Sequence, residues 1–80
     1  MSHDTHDQTG ILIKMVNQIA ANLSAYPHDE AASRIAQHLT KFWAPKMRQD
    51  LFAAANNGAS LSPVVYDAIA QMQNQTAHSA

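Results

Sequence analysis

The stretch PHDEAASRIAQHLTKFWAPKMRQDL, residues 27–51, places apolar residues at helical spacing until a single proline interrupts them. Ala32, Ile35, Ala36, Leu39 and Trp43 recur at intervals of three and four, which makes one apolar stripe with Phe42 beside it. Arg34, His38 and Lys41 share the opposite side. Pro27 suits the first turn, where its missing N–H removes nothing, and Asp29 and Glu30 complement the positive helix end. Glu30 precedes Arg34 by four residues, the favourable order for a helical ion pair. Pro45 ends this helix and opens another at its first position, leaving Ala44 as the N-cap.

The same periodicity extends outward from this stretch. A helix is expected from about Ile11 to Ala25, with Leu12, Met15, Val16, Ile19, Leu23 and Tyr26 on one stripe. Tyr26-Pro27 ends it, because a residue before proline is pushed away from helical angles. Beyond Pro45, Met47, Leu51, Phe52 and Ala55 give the third helix an apolar side, and Asn56-Asn57-Gly58 provides its stop. Ser62 as N-cap, Pro63 at the first position and Leu61 stapling onto Tyr66 begin a fourth, lined by Val65, Ile69 and Met72. Residues 1–9 and 73–80 are polar and aperiodic, and read as disordered tails around a helical domain at residues 10–72. The expected fold is all-α, a small bundle of four helices with short connections.

Composition narrows the function classes. Eighty residues allow one small domain, and 46% hydrophobic residues set it apart from disordered chains. The absence of cysteine removes disulfides, Cys-ligated zinc, iron–sulfur ligation and thiol catalysis. It also fits a reducing, cytoplasmic setting. No run of apolar residues is long enough to span a bilayer, and the N-terminus lacks the pattern of a secretory signal. A net charge of −1 and a pI of about 6.5 argue against a general nucleic-acid binder.

Neither metal nor catalytic chemistry finds a site. His3, His6 and His78 fall in the expected tails, and His28 and His38 are not helical neighbours, so solvated histidines are the simpler reading. Asp29 and Glu30 are adjacent and explained by the helix start, while Asp50 and Asp67 stand alone. No catalytic residue, metal ligand or cofactor-binding residue is therefore assigned.

The corner around Pro45 is different. Arg34, Lys41, Lys46 and Arg48 lie between positions 34 and 48 with no acid among them, next to Phe42, Trp43 and Met47. Alanine as N-cap is worse than Ser or Asp by about 0.5–2 kcal/mol. Lys46 and Arg48 add cations at the positive end of a helix, with only Asp50 in position to offset one of them. Two adjacent aromatics on a helix diverge by about 100°, so a small bundle buries both only with difficulty. The ordinary reading makes the rings core and the cations a wet face. The alternative is a partner-binding corner of Lys41, Phe42, Trp43, Pro45, Lys46, Met47 and Arg48, an aromatic anchor with a cationic rim.

The run Met15-Val16-Asn17-Gln18-Ile19-Ala20, the pair His38-Leu39 and the segment Phe42-Trp43-Ala44-Pro45-Lys46-Met47-Arg48 closely resemble the delta subunit of NAD-dependent, molybdenum-containing formate dehydrogenases. The likeness spans about residues 11–72 and centres on HL-x-x-FW-x-P-x-MR; Leu61, Pro63 and Val64 also fit. One departure is Ala44, where the family carries an acidic residue. The resemblance implies a cytoplasmic, non-catalytic accessory subunit that supports assembly, maturation or stability of the enzyme. Molybdopterin, iron–sulfur clusters, flavin and NAD would belong to the larger subunits, its expected partners, and none to this chain. A maturation factor is the other expected partner, and self-association is expected when the chain is alone. Two further readings compete. A helix-turn-helix-like DNA-binding or regulatory protein would use Arg34, Lys41, Lys46 and Arg48, against the acidic balance of the chain. A transient holder of the pterin cofactor would lack a phosphate-cradling glycine loop.

Overall fold

The computed structural model describes the backbone of residues 4–79 and the side chains of residues 9–74. Its elements are α1 (Asp4–Asn22), α2 (His28–Phe42), α3 (Pro45–Asn56) and α4 (Pro63–Ser79). No strand occurs among the described residues, and the expected four-helix, all-α class is what the chain adopts. None of these helices is long and apolar enough to cross a membrane.

The spacing around Leu39 does what its periodicity requires. Ala32, Ile35, Ala36 and Leu39 of α2 and Trp43 just beyond it are buried, and α2 packs most extensively on α4. Val65, Ala68, Ile69 and Met72 answer from α4, Leu12, Val16 and Ala20 from α1, and Leu51 from α3. The expected stripes of α2 and α4 are therefore the core. The stripe of α1 is narrower than expected, because Met15 and Tyr26 remain exposed.

Helix ends follow local chemistry. Leu23, Ser24 and Tyr26 each donate to the carbonyl three residues back, a tightening that ends α1 at Asn22 rather than Ala25. Pro27 is the N-cap of α2, one residue outside its expected place, with Ala31 donating to its carbonyl at 2.8 Å. The α3 start is as expected, with Ala44 as N-cap, no capping side chain and Pro45 first. Gly58 at φ 84° closes the other end. Its N–H donates to Ala55 and that of Ala59 to Ala54, both at about 3.1 and 3.0 Å respectively. This is the paired closure that glycine favours, because no Cβ obstructs the left-handed turn.

Between α3 and α4 the connection is tied to α1. The Asn17 amide donates to the Ser60 carbonyl and its oxygen accepts from the Ser62 N–H, each at 3.0 Å. Leu61 packs against the core, and the Tyr66 hydroxyl donates to the Ala59 carbonyl. At the chain ends, α1 begins at Asp4 and α4 runs to Ser79, so helical backbone extends into the stretches expected as tails. Propagating a formed helix adds one hydrogen bond per residue without any core contact. Residues 1–3 and 80 of those stretches lie outside the described residues.

Leu39 is fully buried at the centre of this small core. Leu39→Ala is expected to cost about 2–5 kcal/mol, against the roughly 3–5 kcal/mol that a core of this size supplies. Chemical denaturation followed by circular dichroism should show a largely unfolded population at 25 °C. A midpoint shifted only slightly would place the core elsewhere.

Candidate functional site

The α2–α3 corner is built by two residues that leave the helix. Trp43 (φ −94°, ψ 137°) and Ala44 (φ −66°, ψ 153°) are both extended, and for Ala44 this is what a residue before proline prefers. That exit swings Trp43 into the core, where it is 5% exposed, while its N–H still donates to Leu39 at 3.0 Å. Phe42 stays on the last turn of α2 and faces outward, 70% exposed, its ring 4.8 Å from that of His38. The structure thus separates the two rings: one is core and one is surface.

Arg48 resolves the apparent electrostatic conflict at the α3 start. Its Nη1 donates to the carbonyls of Trp43 (2.9 Å), Thr40 (3.0 Å) and Leu39 (3.4 Å). The Thr40 and Trp43 carbonyls have no intrahelical donor at the α2 C-terminus, where partial negative charge collects, while the Leu39 carbonyl also accepts from the Trp43 N–H. The guanidinium therefore serves the end of one helix while its Cα sits at the start of the next. Lys46 bonds to Asp50 at 3.1 Å, the expected four-residue pairing.

Of the residues read as a partner-binding corner, Lys41, Phe42, Pro45 and Lys46 lie on the surface and Met47 and Arg48 are half-buried. Trp43 is the exception: it packs the interior, since the extended exit from α2 turns it inward. Arg48 is spent on backbone carbonyls and is no free rim cation. Lys41 turns toward a different, polar groove with Ser33, Gln37, Thr40 and Gln71.

The surface beside Phe42 includes residues that periodicity assigned to the interior or passed over. An open hollow is lined by Lys14, Met15, Gln18 and Ile19 of α1 with His38 and the edge of Trp43. A second, lined by Ile11, Leu12, Lys46, Met47 and Asp50, adjoins it along α1. Ile11 is 54% and Met15 41% exposed. With Phe42 they account for most of the exposed large apolar side chains, the others being Tyr26 and Tyr66. The signal was present in the sequence: Ile11, Met15 and Ile19 make a second apolar row beside Leu12, Val16 and Leu23. Ile19 of that row packs partly against the core, while Ile11 and Met15 stay exposed.

Other polar groups are already engaged. Arg34 pairs with Glu30 at 2.9 Å and lies 4.1 Å over the Tyr26 ring. His28 contacts the Asp67 carboxylate. With Arg34, Lys46 and Arg48 all engaged within the chain, a DNA-binding reading keeps only Lys41 of its four cations without a partner among the described residues. Among the described residues no three of His, Asp and Glu come together as metal ligands; His3, His6 and His78 lie outside the described side chains.

A family model described as the NADH-dependent formate dehydrogenase delta subunit FdsD matches residues 11–69. No curated protein matches the chain, and no solved structure does. The match covers α1 from Ile11, the whole of α2 and α3, and the first turns of α4, and so includes every residue of the corner and of the hollows beside it.

Replacing Arg48 tests the cap. Arg48→Met keeps the apolar stem and removes the donors, with an expected loss of about 1–2 kcal/mol because a half-exposed charged donor retains less than its buried value. Lys46→Met should change stability by less than about 0.5 kcal/mol, as exposed i,i+4 pairs do. Equal effects in urea unfolding would mean that Arg48 does not close α2.

Proposed function

Since this chain belongs to the family of NADH-dependent formate dehydrogenase delta subunits, we propose that it is a non-catalytic accessory subunit. It binds the larger subunits of that enzyme in the cytoplasm and supports assembly, maturation or stability. Its contact surface is the face formed by Phe42, Ile11, Met15 and Met47 with Pro45 and Lys46 around it, and Lys41 faces the neighbouring polar groove.

One observation carries the choice of surface. Phe42 is 70% exposed in a domain with few large side chains to spare. Burying a phenylalanine is worth about 1.5–3 kcal/mol, which this domain forgoes on its own. The ring packs on His38, which lines the hollow with Met15 and Ile19. An exposed aromatic next to apolar side chains has the make-up of an interface centre, where a few such anchors dominate binding. Trp43 enters this reading as the buried support that fixes the corner, and Arg48 as the residue that holds α2 closed beneath Phe42.

The test is co-expression of tagged chain with the larger subunits and measurement of the recovered complex. Phe42→Ala should reduce affinity by about tenfold or more, the usual effect of truncating an anchor, and lower the yield of active enzyme. Asp29→Asn, at the far end of α2, should leave both unchanged. Recovery of the Phe42→Ala complex at wild-type level would place the contact elsewhere. Failure of the wild type to associate with any larger subunit would remove the proposal.

A further inference from the structure

Building on the accessory-subunit reading, we infer that the element seated on this face is an amphipathic helix of a larger subunit, apolar along one side and flanked by carboxylates. The depression is linear. Met15 and Ile19 of α1 form one wall against His38 and Trp43, and the hollow at Ile11 and Met47 continues it along α1. From Ile11 to Ile19 the helix rises about 12 Å, close to the roughly 11 Å between positions i and i+7 of a docked helix. A floor of that length suits helix-in-groove docking, and flexible methionines favour it because they repack around an apolar stripe.

Charge specifies the flanks. Lys14 borders the first hollow and Lys46 the second, the latter with its side chain 79% exposed. Asp50 is the described carboxylate at this face, and it is already bonded to Lys46. Asp29 and Glu30 belong to the first turn of α2, and Asp67 contacts His28 there. That turn is about 20 Å from Phe42 along the helix. Lys46 keeps Asp50 when covered, whereas Lys14 has no bonded carboxylate among the described residues. A partner covering the apolar floor without acids would therefore strip water from Lys14 and return nothing.

The experiment uses the full chain and the larger subunits in complex. Lys14→Glu with Lys46→Glu is compared with Lys14→Gln with Lys46→Gln, at low and high salt, after circular dichroism confirms helical folding of each. The inference expects a loss of about tenfold or more for the reversed pair at low salt. It expects a smaller loss for the neutral pair, and wild-type binding that weakens with salt. Hydrogen exchange should protect a helical, carboxylate-bearing segment of the larger subunit. Undiminished binding of the reversed pair, or protection of a strand or of a segment without acids, overturns it. Weakening by Phe42→Ala alone would leave the accessory reading in place while this inference falls. No wild-type binding takes down both. Tighter binding of a short DNA duplex than of the larger subunits would also overturn it.

Discussion

Phe42 and Trp43 are neighbours, and on a helix two adjacent rings diverge by about 100°, so a small core takes both only with difficulty. The chain answers at Trp43, which leaves helical angles ahead of Ala44-Pro45 and enters the interior, so that Phe42 is left in water. Pro45 breaks the helix ahead of it and holds Ala44 extended, and Arg48 stabilises the break by taking the Thr40 and Trp43 carbonyls that α2 leaves open. The direction of α3, the placement of Met47 beside Ile11 and the exposure of Phe42 all depend on that corner.

Much of this was legible because it is local. The α2 stripe, the Ala44–Pro45 start, the Gly58 stop and the pairs Glu30–Arg34 and Lys46–Asp50 involve residues a few positions apart. Within one helix, spacing alone determines which side chains meet. The divergence of the two rings followed from the same geometry, but which ring goes inside did not, since that depends on the backbone angles of Trp43. The Arg48 cap was invisible for a related reason: it reaches five to nine residues back across a helix break, where no period applies. The cations that looked uneconomical at the α3 start are in part explained by a helix end that the sequence does not show to be adjacent. The exposure of Met15 was missed because periodicity gives the width of an apolar arc and not the width of the helix covering it. The Asn17 link to Ser60 and Ser62 and the His28–Asp67 contact join residues some forty positions apart, beyond any pattern reading.

Family membership and surface chemistry address different questions. The family identifies the enzyme whose delta subunits this chain resembles, without saying where contact occurs. The packing identifies an unpartnered apolar strip without saying what covers it. On the proposed function, the domain keeps a marginal core for itself and presents a phenylalanine, an isoleucine and two methionines to the larger subunits. A domain so built gains stability when its partner is present, because binding buries what folding left exposed.

The most direct measurement is hydroxyl-radical footprinting of the chain, free and in complex with the larger formate dehydrogenase subunits. In the free chain Met15, Phe42 and Tyr66 should all be oxidised, as their exposure requires. In the complex Met15 and Phe42 should become protected while Tyr66, which is not part of the face, keeps its reactivity. Protection of Tyr66 with Met15 and Phe42 unchanged would contradict the account.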